Sequence, residues 1–141
     1  MSEASKSQPN CDIMRYSVLS LHAAKRDAIS DTSLDVRPDI RVVDGKPEYR
    51  VLLECRREVG AFSFSCAIEG EFAFHEPISQ KNVLLAWVNG CTILYGIARN
   101  LFSTSAMQCV HEDLMLPAVM MIDVVKRVLE DLKQKQTSPA K

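Results

Sequence analysis

The sequence predicts an α+β domain: a four-stranded antiparallel meander sheet followed by helices packed on one of its faces. Three observations carry that expectation. The hydrophobic period switches once along the chain, from two residues to about 3.6. Asp44-Gly45-Lys46-Pro47 stands between two alternating runs as a hairpin turn. Pro77 ends the alternating region, so the strands all precede the helices.

The first strand is expected around Met14 to Ala23, with Tyr16, Val18 and Leu19. In the second, Leu34, Val36, Ile40 and Val42 alternate with Asp35, Arg37, Asp39 and Arg41, giving one apolar and one charged face. Pro38 lies inside this run; it cannot donate to a ladder, which points to an edge or a bulge. In the third, Tyr49, Val51, Leu53 and Cys55 alternate with Arg50, Leu52, Glu54 and Arg56. A turn near Glu58 to Gly60 leads to the clearest strand, with Phe62, Phe64, Cys66, Ile68, Phe72 and Phe74 on one face. Sequential strands with short turns make a meander.

Asn82 is placed to cap a short helix over Val83 to Val88, which Asn89-Gly90 interrupts. A second helix then runs from about Cys91 to Ala106, and a Pro-containing crossover spans Leu114 to Met120. A last helix covers about Met121 to Lys133, with Ile122, Val125, Val128, Leu129 and Leu132 inward. Polar composition marks residues 1–12 and 134–141 as disordered tails around a single domain at 13–133.

Composition narrows the function classes. The 141 residues are 47% hydrophobic and 25% charged, as in an ordinary globular domain, and the net charge of −1 supplies no attraction to nucleic acid or anionic membrane. The longest apolar run, Val83 to Val88, is too short to span a bilayer. The amino terminus has no apolar core of a secretory signal. Five scattered cysteines, with no two-residue spacer between any pair, read as reduced thiols in a cytoplasmic protein.

Chemistry-bearing residues are few. Cys109-Val110-His111-Glu112-Asp113 gathers a thiol, an imidazole and two carboxylates, but lacks further ligands at metal spacing and an orienting partner for a Cys–His pair. A polar loop after the helix is the better reading. His75 is read as a turn histidine at a strand end, and His22 has no partner visible in sequence. No phosphate-binding glycine loop occurs, so the chain is expected to hydrolyse no ATP and to need no cofactor or metal. Met107, Met115, Met120 and Met121 cluster toward the carboxyl end, where methionine can fill a core or serve a surface for varied apolar partners.

In order and spacing, several short segments resemble the SecB protein-export chaperones and their SecB-like relatives, over about Met14 to Lys133. The anchors are Tyr49 and Val51, Phe64-Ser65-Cys66 leading to Gly70-Glu71-Phe72, Ile93-Leu94-Tyr95 with Arg99, and Leu114-Met115-Leu116-Pro117. The resemblance implies a four-stranded sheet with helices on one face, assembled as a dimer of dimers. It implies ATP-independent holding of unfolded or precursor polypeptides. Candidates for the client groove are Phe72, Phe74, Ile78, Leu85, Trp87, Leu116, Met120 and Met121, and for the oligomer interface Ile93, Ile97 and Leu101.

The sequence departs from the family at Gly96 and Ile97, where a proline and an aromatic are usual, and at Asn100, where a carboxylate is usual. The expected outer sheet face is mixed, with Arg37, Arg41, Arg50 and Arg56 against Asp35, Asp39, Glu54, Glu69 and Glu71, and Ala67 at an acidic position of the family. An acidic face is what docks the SecA motor, so the mixed face weakens that partnership. A SecB-like chaperone serving a toxin–antitoxin pair is the alternative. A small hot-dog-type α+β thioesterase is the rival from another class; it requires a helix between Asp27 and Asp39.

Overall fold

The computed structural model describes residues 11–42 and 45–137, and the side chains of 12–42 and 45–131. Four elements follow one another: β1 (Cys11–Val42), β2 (Glu48–Phe74), α1 (Val83–Cys109) and α2 (Met121–Thr137). The α+β class and the order of strands before helices are as the sequence predicts. Of the expected tails at 1–12 and 134–141, residues 1–10 and 138–141 lie outside the described residues, as does Asp44 of the expected turn. The strand begins at Cys11 and the last helix runs four residues beyond Lys133, to Thr137.

The sheet is one antiparallel pair of long strands, not a meander of four. Its first segment pairs with its last: Cys11 to Lys25 lie against Phe62 to Phe74, and Ser33 to Val42 against Tyr49 to Glu58. A straight 27-residue strand would measure roughly 90 Å. Yet the Phe74 N–H donates to the Pro47 carbonyl at 2.8 Å, so β2 must double back on itself. Tyr49 accordingly stacks on Phe72 with centroids 5.3 Å apart, and Arg50 reaches Glu71 at 3.5 Å. Gly60 supplies the left-handed backbone (φ +58°) at the fold, and β1 slips register opposite it, around Ser30. The two halves of β2 therefore lie in the middle, and each half of β1 forms an outer edge. Pro38 sits on such an edge, paired with Leu53 without a register slip.

The alternation in β2 sorts its faces as expected. Tyr49, Val51, Leu53, Cys55, Phe62, Phe64, Cys66, Ile68, Phe72 and Phe74 are all buried on the helix side. Phe102 of α1 meets Phe62 and Phe64 edge-on, with centroids at 5.3 and 5.2 Å. The segment 27–39 is strand, which removes the helix the hot-dog reading requires.

Two expectations about α1 are corrected. Asn89-Gly90 does not interrupt it; one helix of 27 residues runs through. Gly90 is instead the contact point with the sheet, where an added Cβ would stand 3.0 Å from Val51 and 3.1 Å from Tyr49. The Tyr49 hydroxyl donates to the Ala86 carbonyl at 2.7 Å just beside it. Asn82 occupies the position before the helix but makes no side-chain cap. Its carboxamide accepts from the Ser79 N–H and donates to Glu76 and the Pro77 carbonyl, tying the preceding loop together. In α2, Met121, Val124 and Val125 are buried and Val128 and Leu129 half-buried, whereas Ile122 faces out and Leu132 is outside the described side chains.

Candidate polypeptide-binding surface

The helices cover the sheet unevenly. α1 lies across both halves of β2 through Gly90, Leu94, Ala98 and Phe102. α2 runs beside the second half of β1, where Val36 and Pro38 line a shared hollow with Val124 and Val128. The first half of β1 leaves more of its apolar surface open.

That first half carries an apolar row on the helix side. Ile13 pairs with Phe72, Tyr16 with Gly70, Val18 with Ile68 and Leu21 with Cys66, and all four partners point inward. Strict alternation could not put residues three apart on one face. Register shifts between Ile13 and Arg15 and between Val18 and Ser20 make this possible, with Met14 and Leu19 as the inserted residues. Tyr16 and Leu21 remain 51% and 45% exposed, and Met14 and Leu19 more than half. The result is an apolar shelf ending in a strand edge. It offers burial to side chains and, along the edge, main-chain hydrogen bonds to an extended peptide.

The residues read from sequence as client contacts are placed differently. Phe72, Phe74, Ile78, Leu116 and Met121 are buried in the core of the chain and not accessible on its surface. Ile78 is held there because its N–H donates to the Lys46 carbonyl and its carbonyl accepts from Gly45, closing the loop over the hairpin tip. Leu116 is pulled in by the crossover, which the Tyr95 hydroxyl anchors at the Pro117 carbonyl (2.7 Å). Leu85 and Met120 are exposed and Trp87 is half-buried. Ile93, Ile97 and Leu101 pack partly against their own core. The expected strand around Met14 to Ala23, with Tyr16, Val18 and Leu19, does not by itself reveal this row. The spacing Ile13, Tyr16, Val18, Leu21 (three, two, three) was the available signal.

The residues that could do covalent chemistry are disposed against it. Burial pushes the Cys55 and Cys91 thiols up to about 12 and the Cys66 thiol to about 11, so they stay protonated and poorly nucleophilic at neutral pH. Cys109 is half-buried while His111, Glu112 and Asp113 are exposed, and among the described residues no three metal-ligating side chains converge. His75 packs on Phe74 and lies 3.9 Å from Glu76 at the strand end.

The outer sheet face carries charge of both signs in close pairs. Arg15 and Arg50 flank Glu71 at 3.0 and 3.5 Å, Arg37 meets Asp35 at 2.9 Å, and Arg41 meets Asp39 at 3.7 Å. The hydrogen bond from Arg15 holds the Glu71 carboxyl below its usual range. Pairing of this kind leaves no acidic field over that face. Among the described residues, no helix is long and apolar enough to cross a membrane.

The chain matches no protein-family model and no curated protein. Solved structures do share its fold, which is that of a SecB-like chaperone. It is similar to the SecB-like chaperone of Mycobacterium tuberculosis, determined in complex with a ChAD peptide from the HigA1 antitoxin. The TM-score is 0.60 at 16% identity, over 78% of this chain and 91% of that one. It is also similar to a protein of unknown function from Streptococcus agalactiae, with a TM-score of 0.51 at 15% identity, over 77% of this chain and 97% of that one.

Proposed function

We propose that this protein is an ATP-independent holdase, a non-enzymatic cytoplasmic chaperone that binds unfolded polypeptides. The observation that carries the reading is the partly exposed apolar row of Ile13, Tyr16, Val18 and Leu21 with its strand edge. An extended client laid along it gains burial worth about 25 cal/mol per Å² before association costs, and needs no particular sequence. Contiguous exposed apolar surface of this kind marks a binding site in a soluble domain. The fold shared with a chaperone seen holding an antitoxin peptide supports the same reading.

The assembly we propose is a homo-oligomer, a dimer of dimers, with client positions extended by exposed Leu85 and Met120. Two client roles follow from the fold. The mixed charge of the outer face favours service to an antitoxin-like client over export through SecA, which needs an acidic docking surface. The test is light scattering from a denatured client diluted into the chain without nucleotide. The chain is expected to suppress aggregation, and V18D/L21D to lose most of that effect while remaining folded. No suppression by the intact oligomer would overturn the reading.

A further inference from the structure

Two arginines are set against the core without a carboxylate to receive them. Arg57 continues the inward series Tyr49, Val51, Leu53 and Cys55 along β2, pairs with inward-facing Leu34, and is the one charged residue of that series. Arg99 is the one charged residue of α1, and it is half-buried. Both lie close to the Tyr95 phenol. Burial pushes that phenol up to about 12, and Arg99 and Arg57 are the cations near enough to oppose the push. The one charge of the helix and the one inward charge of the strand beneath it therefore meet at the same buried side chain.

Their hydrogen-bonding capacity is largely unused. A guanidinium carries five N–H donors. Among the described residues Arg57 places one of them, from Nη1 to the Ser33 carbonyl at a long 3.4 Å, and its buried Nε meets no acceptor. Arg99 has neither an ion pair nor a hydrogen bond to the described residues. The carboxylates closest to Arg57 in the sheet are engaged elsewhere, Asp35 with Arg37 and Glu58 with Arg26, each at 2.9 Å. On the outer face, by contrast, Arg15, Arg37, Arg41 and Arg50 all have a carboxylate within 3.7 Å. Two partly dehydrated like charges beside one another cost stability, and nothing inside the chain offsets it.

We propose that Arg99, reinforced by the charge of Arg57, receives a carboxylate side chain of the bound polypeptide. This rests on the holdase reading above and names the chemistry of the client. Arg99 opens on a hollow of about 270 Å³ between α1 and the crossover, with Asn100, Ser103, Met115 and Leu116 on its walls. Asn100 and Ser103 add neutral donors, Met115 and Leu116 supply apolar contact, and no acidic side chain lines the hollow. A guanidinium fork matches the two oxygens of a carboxylate, and such charge-assisted pairs are strong where water is partly excluded. The apolar row of β1 accepts apolar segments of any sequence. The arginine site selects among them, favouring an acidic residue flanked by apolar ones.

The test is fluorescence anisotropy of the full chain with a short apolar peptide, blocked at both ends, that carries one central glutamate, and with its glutamine counterpart. The native chain is expected to bind the glutamate peptide about tenfold more tightly. R99Q should bring the two affinities together, and R57Q should narrow the gap. Recovery of tight binding by the glutamine peptide with a free carboxyl terminus would support the same site, filled by a carboxylate from the chain end. Both variants should melt no lower than the native chain, because each removes a cation that has no internal partner. Equal binding of the two blocked peptides by the native chain, or a preference for glutamate that survives in R99Q, would overturn the inference. Light scattering with a client free of acidic residues reports the holdase reading separately, since suppression there needs no arginine site.

Discussion

The two halves of β1 are one strand, pair with one neighbour and carry similar apolar residues, yet they meet opposite environments. In the second half Leu34, Val36 and Ile40 are half-buried and Pro38 is buried, with α2 alongside. In the first half Ile13, Tyr16, Val18 and Leu21 pair with inward-facing residues and still stay 38–51% exposed. The difference is one of cover: among the described residues, two helices lie over a sheet four strand-halves wide. Residues that look like core in sequence are core only where an element is available to cover them. The two register shifts in the exposed half make the contrast sharper. They gather apolar groups onto a bare face, where simple alternation would have scattered them.

The comparison can be broken most directly by placing the same charge in each half. V36D buries a carboxylate against the core and should cost about 2–4 kcal/mol by denaturant unfolding, whereas V18D should cost less than about 1 kcal/mol. Equal costs would mean that the first half is covered in the native particle. A smaller effect is expected at the contact that seats α1 on β2. G90A pushes a methyl to 3.0 Å from Val51 and should destabilise by about 1–3 kcal/mol, even though alanine favours the helix. The smallest effect concerns the tie between the exposed half and its neighbour. Glu71 titrates below its unfolded value because Arg15 donates to it, so its contribution is present above the usual carboxylate range and lost as pH falls through the folded pKa. Titration by NMR should find Glu71 below the usual glutamate value, rising toward it in R15Q.

Much of the fold was legible. The inward face of β2, the apolar row of the second half of β1 and the span of the last helix all follow from hydrophobic period. What was missed depended on contacts between distant residues. The break expected at Asn89-Gly90 rested on local propensity, and the glycine is explained only by Tyr49 and Val51 from the sheet. Strand order was read as a meander because successive runs looked equivalent. Nothing local shows that residues near 11 pair with residues near 74. The groove residues were chosen for size and apolarity, which select core and surface alike, so Phe72, Ile78 and Leu116 were drawn from the core. The outer face, where opposite charges alternate along each strand, carries mixed charge as expected.

The pairing of Cys11 with Phe74 also has a consequence in time. The first half of β1 is made early, but its partner segment follows only after roughly 40–60 further residues, which takes several seconds at ordinary rates of synthesis. Through that interval an apolar, low-charge strand waits with both edges unsatisfied, and closing so long a loop makes its pairing slow. One edge is satisfied when Phe62 to Phe74 emerges; the other persists in the folded chain. The segment proposed to bind unfolded chains is thus the part of its own chain with most need of protection while it is born.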